Sequence, residues 1–249
     1  MQENFKNTNT LIAIITGLSL IIFGFVLKGG FDNFSNKGDM ITVTGSTERE
    51  VVSDLAKWNL SLQEKTYGEN ANSEANKKIE NNFSIVKSYL IKNGIDEKII
   101  QTGAPSLSPI CEVGSQGYEN CSIGVKGQTA IKNITIESEN IDLIKKLSEK
   151  ITLDLPVLSL QTNTVDYLYN NLKNIRAEML KEATKNAKER ADAVASAGGA
   201  TIGKIVSLSS GVFQVTAKNS VSIDDYGAYD TSSIDKKITA TVKANFSVR

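Results

Sequence analysis

Apolar residues recur at spacings of three or four along one stretch of this chain: Leu168, Leu172, Ile175, Met179, Ala183, Ala187, Ala191 and Val194. That spacing lays a single stripe on a 3.6-residue helix. The small side chains of Ala183, Ala187, Ala191 and Ala195 would let the helix lie close against a sheet. Gly198 and Gly199 end it, because glycine accepts the left-handed conformation that closes a helix without a Cβ clash. A buried strand, residues 204–210, is expected next.

Upstream the pattern is mostly of period two. Residues 41–44 alternate as a short first strand. Residues 54–64 alternate better, with Ala56, Trp58, Leu60 and Leu62 on one face and Lys57, Asn59, Ser61 and Gln63 on the other. This is the signature of a half-buried antiparallel strand, and places Trp58 in the core rather than in a ligand platform. Residues 69–93 switch to helical period, carrying Ala75, Ile79, Phe83, Val86 and Leu90 on one stripe, with Gly94 as the stop. Residues 99–109 contain Pro105 and Pro109, so that strand is expected at an edge or bulged. In the return strand, 123–136, alternation through Val125, Thr129 and Ile131 slips to Ile134 and Ile136, which predicts a bulge near Lys132 and Asn133. Asn140 caps a short helix bearing Ile141, Ile144, Leu147 and Ile151, and a strand over 158–165 follows.

The order strand, helix, strand, strand, helix, strand over about residues 54–165 predicts a ferredoxin-like βαββαβ unit, and so an α+β fold. The cleanest alternation is the last: Ile238, Ala240, Val242, Ala244, Phe246 and Val248 share one face of residues 237–248. That strand, the first strand, the long helix and residues 204–210 are expected to form a second layer of one long helix and antiparallel strands. About 20 polar residues, a loop, separate the last two strands.

Residues 11–27 (LIAIITGLSLIIFGFVL) are uncharged and almost wholly apolar. They are long enough to cross a bilayer, whose spanning helices need about 17–25 residues. No small-x-small cleavage site follows, so an uncleaved transmembrane helix is preferred to a cleaved signal peptide or a buried core helix. The expected organisation is a short tail at 1–10, an anchor at 11–27, a polar tether at 28–39 and an extracytoplasmic domain at 40–249. The domain would lie in the periplasm, on a single-pass inner-membrane anchor.

Composition narrows the chemistry. The chain of 249 residues has no histidine, which removes Ser-His-Asp and Cys-His nucleophile systems and His-ligated metal sites. Lys plus Arg and Asp plus Glu both number 28, so no net field draws the chain to nucleic acid. Lys181, Lys185 and Lys188 are interleaved with Glu178, Glu182, Glu189 and Asp192 at helical distances, as on a solvated, ion-paired face. No glycine pattern suited to phosphate is present, Gly29-Gly30 and Gly198-Gly199 included. Cys111 and Cys121, the only cysteines, lie between two strands expected to be antiparallel. In an oxidising compartment they most simply pair as a disulfide, with free thiols or a redox pair as alternatives. Asp224, Asp225 and Asp230 gather with Tyr226 and Tyr229 in the late loop. A mobile polar loop is expected there, with a cation site the alternative, and loops of this length are often functional. No catalytic, cofactor-binding or metal-binding residue is assigned.

Several stretches together resemble the SIMPL-domain family, whose members include bacterial periplasmic immunogenic and oxidative-stress-defence proteins. They are Ile41-Thr42-Val43-Thr44-Gly45, Asp54-Leu55-Ala56, Asn93-Gly94-Ile95-Asp96-Glu97-Lys98-Ile99-Ile100-Gln101-Thr102, the alanine-rich run from Ala187 to Ala197, and Gly203-Lys204-Ile205-Val206-Ser207-Leu208. Ser53 stands where the family often has proline, residues 216–236 lack the family's prolines, and the cysteine pair is outside its pattern. The resemblance implies an exported protein whose relatives form large ring- or channel-like oligomers. Some relatives are linked to oxidative-stress resistance, and none has an established active site. The expectation is therefore a non-catalytic, membrane-anchored envelope protein acting by self-assembly as a homo-oligomer or by binding an envelope protein partner, without nucleic acid. The alternative is a small-molecule-binding or stress-sensing module using the 216–236 loop. A carboxylate- or tyrosine-based enzyme is the third reading.

Overall fold

A computed structural model of the chain describes residues 16–19, 21–24, 26, 39–156, 158–220 and 226–249. The expected tail and nearly all of the expected tether lie outside the described residues, as do about half of 11–27, and Asp224 and Asp225. Among the described residues no helix is long and apolar enough to cross a membrane. The elements are β1 (Met40–Val52), β2 (Leu55–Tyr67), α1 (Ala71–Lys92), a single 3₁₀ turn (Glu97–Ile99), β3 (Ile100–Thr102), β4 (Ser106–Val113), β5 (Glu119–Ser138), α2 (Ile141–Asp154), β6 (Leu160–Leu168), α3 (Leu172–Ala197), β7 (Ile202–Ser210), β8 (Gln214–Ala217) and β9 (Asp235–Val248). The fold is mixed α+β. Its chain divides into two compact units, one of Glu48–Met179 with Val212–Thr239, the other of Met1–Thr47, Leu180–Gly211 and Ala240–Arg249.

In the larger unit a five-stranded sheet runs β3-β5-β2-β6, with β4 also on β5. β2 is central: it pairs antiparallel with β5 from Ala56↔Ser138 to Tyr67↔Gly127, and with β6 on its other side. The inward face of β2 (Ala56, Trp58, Leu60, Leu62) meets Ala75, Ile79, Val86 and Leu90 of α1 and Ile144, Leu147 and Ile151 of α2 in one core. Asn140 Oδ1 accepts the Leu143 amide and caps α2. Trp58 is fully buried, and its indole N–H donates to Asn163 Oδ1 at 2.7 Å. Asn163 in turn donates to the Ser148 carbonyl of α2 at 2.8 Å. A buried indole N–H without such an acceptor would carry a desolvation cost.

The edge strand breaks into β3 and β4 across residues 103–105, where Pro105 removes a ladder donor. Pro109 stays within β4, opposite Gln128. The bulge expected near Lys132 and Asn133 is absent, since β5 stays in continuous register with β2 through both residues. The period breaks because Lys132 itself occupies an inward position. The buried face is Ala130, Lys132, Ile134 and Ile136, and the Lys132 ammonium reaches Glu80 at 2.7 Å and sits 4.6 Å from the Phe83 ring centre. A long apolar stem with a paired head can fill a core position that a sequence pattern marks as polar. Register shifts fall instead at Ile110–Glu112 of β4 and, where β2 pairs with β6, between Ser61 and Leu62.

The smaller unit is built around alanines of α3. Ala187 and Ala191 pack with Ala244 and Phe246 of β9, flanked by Ile41, Val43 and Ile202. A Cβ on Gly45 of β1 would overlap the Ala183 carbonyl and the Ala187 amide, so glycine here permits strand and helix backbones to touch. Ala200 N–H returns to the Ala195 carbonyl at 2.9 Å, with Gly199 at φ 75°, closing α3. Three expectations are corrected. Val194 is 57% exposed, and the stripe instead ends on Ala195, a helical step of four from Ala191. The strand after the glycines is an exposed edge rather than a buried strand: among the described residues β7 pairs only with β9, and Ile205, Val206 and Leu208 face solvent. The first strand, finally, runs far beyond Thr44, to Val52.

Candidate functional site

Of the late loop, residues 226–236 are fastened by main-chain hydrogen bonds, while 221–225, with Asp224 and Asp225 of the mobile polar loop expected, lie outside the described residues. A short strand that leads into it, β8, pairs with β9 from Gln214↔Thr239 to Ala217↔Lys236. The returning chain is fastened by Val215 N–H to Ala228 O and Asp230 N–H to Val215 O, both 2.8 Å, and by Tyr167 N–H to Thr231 O at 2.7 Å. Ser53 N–H donates to Ile234 O at 2.9 Å. These bonds draw the returning chain against β8, β6 and the junction of β1 and β2.

Between the two ends of the loop lies a cleft of about 530 Å³, lined by Lys145, Tyr167, Ala217, Lys218, Asn219 and Ser232–Asp235. The volume falls in the range common for small-molecule sites, ~300–1,000 Å³. Lys145 stands on the exposed side of α2, opposite Ile144, Leu147 and Ile151. Tyr167 contributes from β6, and the rest comes from the loop. A second cleft of about 300 Å³, lined by Glu50, Val51 and Val52, shares Lys218 and Asp235. The Lys218 ammonium meets Glu50 at 2.7 Å, and that hydrogen bond and charge raise its pKa. Burial, with the Glu149 carboxylate adding to it, raises that of Tyr167.

The floor of the loop is held by Asp230 and Lys236. Lys236 is fully buried, and its ammonium donates to the Asp230 carbonyl at 2.6 Å and to Asp230 Oδ2 at 3.2 Å. Burial opposes ionisation of Asp230. The Ser233 and Ser232 hydroxyls, the Ser232 amide and the Lys236 ammonium outweigh it and hold the carboxyl well below the usual carboxylate range. Such a carboxylate is too weak a base to activate a hydroxyl, and both serines already donate to it. The arrangement is suited to shaping a surface and binding, with no nucleophile–base pair.

Of the residues singled out from the pattern, Asp230 serves as this internal staple, and among the described residues no three His, Cys, Asp or Glu side chains gather as a metal site. Cys111 and Cys121 are joined in a disulfide with Cα atoms 4.6 Å apart, at the irregular end of the β4–β5 hairpin. On α3, Lys185 lies 3.8 Å from Glu189 on an exposed face, and Arg49 of β1 meets Glu178 at 2.9 Å. Lys145, Tyr167, Asn219 and Asp235 were not singled out. They are ordinary polar or strand residues by pattern, and only the length of the loop pointed toward them.

Two relatives align with most of this chain. The 26 kDa periplasmic immunogenic protein of Brucella melitensis biotype 1 is 26% identical over 212 residues, covering 83% of this chain and 80% of its own. The protein of the same name from Brucella abortus (strain S19) matches with the same identity and coverage. The family model SIMPL, described as a protein of unknown function (DUF541), matches residues 41–246, and this chain belongs to that family.

Proposed function

We propose that this chain is a non-catalytic protein of the periplasm, held at the inner membrane by residues 11–27, which acts by assembling with further copies of itself or with an envelope protein partner. The name of the Brucella relatives supports the compartment. The antiparallel order β6-β2-β5 with β3 and β4 outermost supports reading residues 54–165 as a ferredoxin-like unit. The observation that carries assembly is β7. It is the edge of its sheet, and Ile205, Val206 and Leu208 are 48%, 56% and 51% exposed along it. A long apolar edge with unpaired backbone groups is normally blunted or covered, and pairing with another chain covers it. The test is light scattering of the full chain in detergent. A mass several times that of one chain, reduced by Leu208→Lys, is expected; a monomer at every concentration would overturn the reading.

A second reading, a small-molecule site under the late loop, is favoured by the cleft between Lys145 and Asp235. Neither reading assigns a reaction to any residue. Chemical-shift changes at Tyr167 and Asn219 on addition of small polar molecules would support the second. Their absence with every class tried would remove it.

A further inference from the structure

The polar groups lining the cleft under the late loop differ in whether they are already engaged. Lys218 is spent on Glu50, and Ser232 and Ser233 on Asp230. Among the described residues, the Lys145 ammonium, the Asp235 carboxylate, the Asn219 side-chain amide and the Tyr167 hydroxyl have no hydrogen-bond or ion-pair partner, although Lys218 acts on Asp235, and Glu149 on Tyr167, through space. Tyr167 is only 9% exposed, yet among the described residues no fully buried side-chain oxygen or nitrogen is left unsatisfied, so its hydroxyl keeps contact with solvent. The cleft thus offers one cation, one anion and two neutral groups that no side chain contacts, beside the apolar surface of Ala217, Ile234 and the Tyr167 ring.

We infer that this cleft takes a small zwitterion, an α-amino acid or a betaine, with its carboxylate on Lys145 and Asn219 and its cationic end on Asp235. The inference rests on the second reading above and names its ligand. The charge balance decides the class. A simple anion would gain Lys145 but bring its charge to Asp235; a simple cation meets the reverse problem. A neutral polyol would desolvate both charges and neutralise neither, which is costly. A molecule carrying both signs pairs each. The free hydroxyl of Tyr167 supplies a further donor for the carboxylate, and its ring a face for the cation.

The test is isothermal titration calorimetry of the full chain with each standard L-α-amino acid and glycine betaine, and with acetate, methylammonium, inorganic phosphate and glucose. At least one zwitterion is expected to bind, with acetate and methylammonium weaker by about tenfold or more. Lys145→Met and Asp235→Asn should each weaken that zwitterion by about tenfold, whereas Lys185→Met on α3 should not. Both cleft positions are exposed, so these variants keep the fold. Binding of phosphate or glucose alone, lost in the same variants, would overturn the zwitterion and leave the second reading standing. No binding by any probe would overturn both, and zwitterion binding indifferent to both substitutions would overturn the assignment to this cleft.

Discussion

At the scale of single residues, the decisive pair is Asp230 and Lys236. A fully buried ammonium tolerates its position only while a carboxylate and a carbonyl answer it. Removing one partner of a buried pair leaves an uncompensated charge, so Asp230→Asn should lower the unfolding free energy by about 3 kcal/mol, read from urea denaturation. Asp230's folded pKa is depressed, so its contribution is present above the unfolded value, about 3.9, and is lost as pH falls toward the folded one. The wild type should therefore lose stability steeply with acid, and Asp230→Asn should show a shallower slope. Tyr89 has the opposite sign. Burial, then its bond to Asp154, pushes its pKa up to about 12. Its contribution is intact below pH 10, its ordinary value, and fades as pH rises to about 12. Ultraviolet titration of wild type against Tyr89→Phe should lose one late phenolate step.

At the scale of elements, close approach and crosslinking matter most. Gly45 sits where the β1 and α3 backbones meet, and even a methyl would overlap the Ala183 and Ala187 main chain. Backbone cannot rotate aside as a side chain can. Gly45→Ala should cost about 1–3 kcal/mol, and chemical denaturation would measure it. The disulfide closes a sequence separation of 10 at the end of the β4–β5 hairpin. By loop entropy, the double variant Cys111→Ser, Cys121→Ser should lose up to about 3 kcal/mol. Because the crosslink ties an edge hairpin, amide exchange should accelerate chiefly in β4 and the start of β5.

At the scale of the whole molecule, exposed pairing capacity and surface recognition govern behaviour. β7 carries its apolar residues outward on a sheet edge. Leu208→Lys places a charge there and should reduce solution mass without moving the thermal midpoint of unfolding by more than a few degrees. A folded variant with unchanged mass would exclude this edge from the assembly. The balance of 28 basic against 28 acidic residues predicts an assembly whose mass changes little with salt, since no net field has to be screened.

The sequence by itself determined the elements whose contacts are periodic. The alternation of Ala56, Trp58, Leu60 and Leu62 and the stripe Ala75, Ile79, Phe83, Val86 and Leu90 record burial against one apolar face, and all are buried except Phe83, which is half-buried. The Asn140 cap and the glycine stop of α3 are equally local, because backbone satisfaction at a helix end needs only neighbours. Tertiary structure decided the rest. Lys132 faces inward because Glu80 and Phe83, on another element, receive its head. The exposure of β7 follows from having β9 on one side and, among the described residues, no strand on the other, which its own apolar residues do not disclose. Lys145, Tyr167, Asn219 and Asp235 converge from α2, β6 and the late loop. No period links them: Lys145, Asn219 and Asp235 are solvated and under no packing constraint that would leave a repeat in the chain, and the burial of Tyr167 records the core instead.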